Sequence, residues 1–301
     1  MRAARFYAPG DVRVEDVPRP EPGDGDVLVR VEVALTDGTD LKAFRRGHPI
    51  LLGDPPAPFG HEFCGFTEDG RRIVAANSDG DRADLQLLNG AYAEWLVVPE
   101  RIARVNLLPV PDGLPPEVAA MVEPLACCLY GVERAGVRPE DTVAVVGTGP
   151  IGLMLCACIA DAGARPVAVG RRSELAREFG AEPGDGRGAD IVIEASGNPA
   201  AVAEGLEMLR DAGRYVVVGQ YTDAGDVTIN PHRHINRKHA TILGCWGYEF
   251  SHLHRAIEMM ARHNARFRWR ELISREYRLE EASRALEDME RLAVLKAIIR
   301  P

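Results

Sequence analysis

The sequence predicts an α/β protein of two domains, an irregular β-rich one and a doubly wound parallel sheet, on three observations. Residues 12–98 carry short β-like runs broken by Pro, Gly and Asp. From residue 142, fully apolar strands alternate with helical stretches, the pattern of βαβ units. A chain of 301 residues with 46% hydrophobic content is long enough to bury two cores of ordinary size.

The β-like runs of the first half fall at 27–33, 72–76 and 93–98. Residues 116–135 lack glycine until Gly131 and repeat apolar residues at helical spacing, so a helix is expected to carry Glu123. Strands follow at 142–146, 166–169, 190–194 and 214–218, with helices at 151–162 and 200–210 between them. A helix at 252–263, a second at 279–289 and a closing strand at 293–299 form a tail that either domain can accept.

A formal net charge of −9 gives no global attraction for nucleic-acid phosphates or anionic lipid, so neither is an expected partner. The first ten residues lack the apolar run of a signal peptide, and no transmembrane span is expected. Cys64, Cys127, Cys128, Cys156, Cys158 and Cys245 form no C-x-x-C pair and mostly sit in apolar runs. They read as reduced core thiols of a cytoplasmic protein.

Gly147-Thr148-Gly149-Pro150-Ile151-Gly152 matches G-x-G-x-x-G between an expected strand and an expected helix, the context that gives this motif meaning. In a Rossmann fold the first glycine makes the turn, the second lets backbone approach a pyrophosphate, and the third packs helix on strand. The anion rests on the helix N-terminus. The second strand ends Val169-Gly170-Arg171-Arg172-Ser173, without the acid that would bind an NAD ribose. Gly170 leaves room for a 2′-phosphate and Arg171 and Arg172 supply its charge partners, which favours NADP over NAD. Ser196 and Gly219 stand just beyond strand ends, where an open sheet holds its ligand.

In the first half, Asp37, His61 and a glutamate, Glu62 or Glu123, offer one nitrogen and several oxygens. Such a set can hold Zn²⁺ and leave a position open for water or substrate. Tyr92, Trp95, Trp246 and Tyr248 read as core aromatics rather than pocket walls. The histidines at 232, 234, 239, 252, 254 and 263 lack metal-site spacing and read as surface or hydrogen-bonding residues.

Taken in order, several segments resemble the medium-chain zinc alcohol and polyol dehydrogenases. They are Gly38-Thr39-Asp40-Leu41, Pro58-Phe59-Gly60-His61-Glu62, Ala91-Tyr92-Ala93-Glu94-Trp95, Glu123-Pro124-Leu125-Ala126, the glycine loop, Glu194-Ala195-Ser196-Gly197 and Val294-Leu295-Lys296-Ala297-Ile298. The resemblance implies a GroES-like irregular β-barrel catalytic domain over residues 1–125, completed by 266–301, and a Rossmann domain over 126–265. It places Asp37, His61 and Glu123 around one catalytic zinc, with Glu62 close enough to exchange as a ligand and Thr39 as proton relay. Lys42 stands where relatives often have a histidine that passes the proton to solvent. Asp37 departs from the usual cysteine, although an aspartate stands there in the archaeal glucose dehydrogenases of this family. The four-cysteine lobe for a structural zinc is represented only by residues 77–89, which contain no cysteine, so no structural zinc is expected.

The implied activity is hydride transfer between NAD(P) and a secondary alcohol, polyol or sugar, or the matching carbonyl compound. A metal-free quinone or enoyl reductase and an inactive NADP-binding protein are the alternatives. Relatives form homodimers or homotetramers, and residues 226–243 are the expected contact.

Overall fold

The computed structural model describes residues 1–47, 54–76 and 88–301. The shortened lobe lies, over 77–87, outside the described residues. The chain divides into two compact units, one of Met1–Glu123, Glu249–Ala265 and Trp269–Pro301, the other of Pro124–Tyr248 and Arg266–Arg268.

The first unit opens with β1 (Arg2–Ala8), β2 (Asp11–Asp16) and β3 (Val27–Leu35), followed by α1 (Gly38–Arg46). It continues through β4 (Ala57–Pro58), β5 (Glu62–Thr67), β6 (Arg72–Ala75), β7 (Trp95–Val98), α2 (Glu100–Asn106) and β8 (Leu107–Pro109). Strand β3 explains where the site falls. Its outer half alternates, with Arg30 exposed between buried Val29 and Val31, whereas Val33, Ala34 and Leu35 are all fully buried. An alternating strand has one wet face and a continuous apolar run has none, so β3 enters the core at the end that delivers Thr36 and Asp37.

The expected helix over 116–135 is two helices, α3 (Pro116–Ala119) and α4 (Val122–Ala135). Pro124 is the reason. Inside one continuous helix its ring would collide with the carbonyl of Ala120, whereas in the first turn of α4 no N–H is needed from it.

The second unit contains β9 (Thr142–Val146), α5 (Pro150–Asp161), β10 (Arg165–Val169), β11 (Glu182–Pro183) and β12 (Ala189–Glu194). It ends with α6 (Ala200–Met208), β13 (Leu209–Val217) and β14 (Thr241–Gly244). The strands form one sheet in the order β11-β10-β9-β12-β13-β14, every neighbouring pair parallel. Chain order therefore reverses between β9 and β12, and ligands of open α/β sheets bind beyond the strand ends at such a switch point. Ile191, Val192 and Ile193 are fully buried, as expected of a strand covered on both faces. Strand β13 begins at Leu209, five residues before its expected start, and pairs Leu209 with Ala189 across an irregularity in register.

Helix α7 (Phe250–Arg262), expected among the nucleotide-binding residues, groups with the first unit, where His254 Nε2 contacts the carbonyl of Val105 at 2.8 Å. The tail adds β15 (Ile273–Arg278), α8 (Ala282–Glu290) and β16 (Lys296–Arg300) to the same unit. Strand β16 pairs antiparallel with β3, Ile298 opposite Leu35, so the end of the chain lies beside Asp37 and its neighbours. Among the described residues no helix is long and apolar enough to cross a membrane.

Candidate active site

Asp37 follows β3 and is the N-cap of α1. Its Oδ1 accepts the amide of Asp40 at 2.8 Å, and Asp40 Oδ2 accepts the amide of Asp37 at 3.2 Å. This reciprocal capping box satisfies two donors that a helix start otherwise leaves open. It leaves Asp37 Oδ2 uncommitted to the cap. Thr39, in the first turn of α1 and half-buried, hydrogen-bonds the Asp37 carboxylate.

His61 lies just before β5, and its Nδ1 is 2.9 Å from Asp40 Oδ1. With Nδ1 donating to that carboxylate, Nε2 is the nitrogen left to take a second proton or a metal. That nitrogen lies 3.7 Å from Asp37 Oδ2. The separation is too long for a hydrogen bond, and two ligands each about 2.05 Å from a tetrahedral zinc stand roughly 3.3 Å apart. Ligand atoms of Asp37, His61 and Glu62 all lie within 4.8 Å of one another.

Glu62 is tied by Lys296. Both of its oxygens accept from Lys296 Nζ, at 2.7 and 2.6 Å, and Lys296 also donates to the Thr36 carbonyl at 3.0 Å. The pair is almost completely buried, with side-chain exposures of 1% and 0%. Burial works against the Lys296 ammonium, but Glu62 and Asp37 outweigh it and raise its pKa, so the charge is kept. Asp37, Asp40, Glu62 and Glu123 thus crowd around one lysine and one histidine, and burial, the largest influence, raises the Glu62 pKa well above the ordinary glutamate value; a divalent cation would relieve this crowding of carboxyl groups. The imidazole reports the same field. Burial disfavours its charged form, yet Asp40 and Asp37 raise the His61 pKa well above the usual histidine value. A proton and a metal therefore compete for Nε2.

These residues fit zinc in donor type, burial and orientation. Glu123, in the first turn of α4, is felt electrostatically by His61 and Glu62 but is not among the three that come within 4.8 Å. Sequence reasoning assigned no role to Asp40 or Lys296. A lone lysine inside the apolar run Val294-Leu295-Lys296-Ala297-Ile298 was the available signal, because a buried ammonium requires a buried acid.

In the second unit the glycine loop connects β9 to α5. Gly147 has φ +111°, and a side chain there would strike Ser196 and Ala195 backbone; at Gly152 a Cβ would sit 1.8 Å from the Gly147 carbonyl oxygen. Gly149, by contrast, faces open space. It is the N-cap of α5, no side chain caps it, and Pro150 follows at the first helical position before Ile151. The N-terminal amides of α5 are thus available to an anion. Thr148 Oγ1 accepts the amide of Arg172 at 2.9 Å, and the Gly147 amide donates to Val169 at 2.9 Å. These two bonds set the Gly170–Arg172 turn beside the glycine loop, with Arg171 exposed and Arg172 half-buried.

Ser196 and Gly219 meet at Glu194, whose side chain is fully buried at the end of β12. Its Oε1 accepts the Ser196 amide and hydroxyl, both at 2.7 Å, and the Gly197 amide at 2.9 Å, while Gln220 Nε2 donates to Oε2 at 3.3 Å. Gly219 donates its amide to the Glu194 carbonyl at 2.9 Å. The loops after β12 and β13 are therefore held together, next to the switch point between β9 and β12.

A family signature described as zinc-binding dehydrogenase matches residues 150–262. An erythritol/L-threitol dehydrogenase of Mycolicibacterium smegmatis is 30% identical, over 82% of this chain and 84% of its own length. The chain belongs to the medium-chain dehydrogenase/reductase family, among its zinc-binding dehydrogenases. The 2R,3R-butanediol dehydrogenase of Bacillus subtilis superposes with a TM-score of 0.86 at 25% identity, covering 100% of this chain and 99% of that one. A zinc-binding dehydrogenase from Sinorhizobium meliloti 1021, solved bound to NADP, gives the same TM-score and coverage at 28% identity. Membership in this family carries the α/β fold expected from the sequence, a parallel Rossmann-like sheet with a separate sheet domain.

Proposed function

We propose that this member of the family is an NADP-preferring dehydrogenase of secondary alcohols, with vicinal diols and polyols as the substrate class, and that it uses one catalytic zinc. The observation that carries the reading is the convergence of Asp37 Oδ2 and His61 Nε2 at 3.7 Å, with His61 held through Nδ1 by Asp40 so that Nε2 is the nitrogen on the Asp37 side. Relatives named for erythritol, L-threitol and butanediol support the substrate class, and a relative with NADP bound supports the cofactor.

When bound, zinc supplies a Lewis acid that acidifies a hydroxyl and the nicotinamide supplies the hydride acceptor. His61 and Asp37 would hold the metal, with Glu62, gripped by Lys296, and Glu123 as ligands that exchange with each other. Thr39 hands the substrate proton onward, and Lys42 lies one turn further along α1 as its exit. Arg171 and Arg172 hold the 2′-phosphate, the amides after Gly149 hold the pyrophosphate, and Ser196 and Gly219 border the rest of the nucleotide. Six cysteines, none of them in a disulfide bond, suit a reducing, cytoplasmic setting.

Elemental analysis of protein purified without added zinc tests this reading, alongside Asp37→Ala and His61→Ala. We expect about one zinc per chain in the parent and loss of it in both variants, with oxidation of butanediol and tetritols lost in parallel. A second reading, a metal-free quinone or enoyl reductase, is favoured by the use of Asp37 as a helix cap. A parent chain that takes up no metal when zinc is supplied, yet reduces quinones or activated alkenes, would establish that reading instead.

A further inference from the structure

The geometry points to Tyr92 as a positioning residue for the metal site, its hydroxyl fixing Asp40 and, through Asp40, the orientation of His61. The inference rests on the zinc reading above. Tyr92 is fully buried, and its hydroxyl is 2.7 Å from Asp40 Oδ2, with the Leu35 carbonyl at 3.2 Å. A phenol has one proton to donate, and the ionised, nearer acceptor takes the stronger bond. Burial, then Asp40, raise the Tyr92 pKa well above the ordinary tyrosine value, so the hydroxyl stays a donor throughout the working pH range.

Asp40 has one further partner on Oδ2, the Asp37 amide at 3.2 Å. Without the phenol that longer bond alone would hold Oδ2, and the carboxylate that meets His61 through Oδ1 would be less firmly anchored. The ring does a second job. A side chain at Gly60, the residue before His61, would lie 2.2 Å from a Tyr92 ring carbon, so the ring also confines the backbone that presents the histidine. Tyr92 is itself located by its amide on the Phe59 carbonyl at 2.9 Å and by its carbonyl on the Ala4 amide at 2.7 Å. Its ring lies against Phe59, with centroids 5.6 Å apart. One side chain thus touches both segments that carry ligand atoms, the end of β3 and the start of β5.

Outer partners of a metal-bound histidine typically contribute 10- to 100-fold in metal affinity. Tyr92→Phe keeps the ring and deletes only the hydroxyl. The test is the dissociation constant for Zn²⁺, by chelator competition, and the d–d spectrum of the Co²⁺-loaded full chain. Tyr215→Phe serves as the control, since it removes another buried hydroxyl, from β13. We expect about tenfold weaker zinc binding and an altered cobalt spectrum in Tyr92→Phe, with Tyr215→Phe unchanged. Equal weakening in both variants, or parental affinity and spectrum in Tyr92→Phe, overturns the inference and leaves the zinc reading standing. A parent that binds neither ion overturns both. If Tyr92→Phe does not fold, 3-fluorotyrosine placed at position 92 strengthens the donor without deleting it. It should shift the cobalt spectrum, and an unshifted spectrum counts against the proposal.

Discussion

Asp37 gives one carboxylate oxygen to the amide of Asp40 and turns the other toward His61. A cysteine at this place would be a softer ligand but a poorer helix cap, so aspartate exchanges metal affinity for the capping of α1. Residue type alone does not single out the candidate ligands among 45 acids and 8 histidines; their places in Asp37-Gly38-Thr39-Asp40, Gly60-His61-Glu62 and Glu123-Pro124-Leu125-Ala126 do. The role of Asp40 was not legible in the sequence, since an acid three residues after an N-cap is ordinary capping chemistry until its second oxygen meets Tyr92 and its first meets His61. Arg171 and Arg172, expected from the sequence at the end of the second strand, follow Gly170 beside the glycine loop, where Thr148 holds the Arg172 amide. Replacing both arginines by alanine should weaken NADPH binding about tenfold or more while NADH binding stays within about twofold, as charge-assisted bonds to a 2′-phosphate are lost. Fluorescence titration of the two reduced cofactors measures it, and an unchanged preference would remove the 2′-phosphate assignment.

At the scale of elements, periodicity located most strands and helices, and punctuation residues decided their ends. Pro124 divides one apolar helical stretch into two helices, a rule of backbone chemistry that periodicity alone does not express. The start of the parallel sheet is tied by Asp190, which accepts the Thr142 amide of the neighbouring strand at 2.8 Å and pairs with Arg210 at 2.6 Å. The Thr142 amide, then Arg210, hold its pKa below the ordinary aspartate value. A carboxylate whose native pKa is depressed stabilises the fold fully above its unfolded value, near 3.9, and loses that contribution as pH falls through the native value. Asp190→Asn should therefore cost about 1 kcal/mol at pH 7 and progressively less toward pH 3. Urea unfolding of parent and variant across that range gives the comparison; a constant difference would mean that the charge contributes nothing.

At the scale of the whole molecule, β14 is the last strand of its sheet and leaves Thr241 and Ile242 exposed, Ile242 at 40%. A sheet edge with an exposed isoleucine and unpaired backbone groups suits pairing with a second copy. It falls within residues 226–243, where the sequence reading placed a subunit contact. If the protein is a homodimer or homotetramer built on this edge, Ile242→Lys should lower the sedimenting mass by half or more. An unchanged mass would move the contact elsewhere. The grouping of α7 with the first unit is also a property of this scale, since its amphipathic pattern called for some apolar partner without saying which.

By itself the sequence determined the two-domain α/β plan, the glycine loop and its flanking arginines, and the residue types available to a metal. Each of these depends on neighbours within a few positions, through side-chain periodicity, proline and glycine backbone limits, or a short motif. Only the tertiary structure decided that Asp40 orients His61, that Lys296 from the far end of the chain grips Glu62 across 234 residues, and that Tyr92 closes over Gly60. Those contacts arise where β3, β5 and β16 lie side by side. A buried charge fixes the need for a partner but not its identity, and strand pairing supplies that.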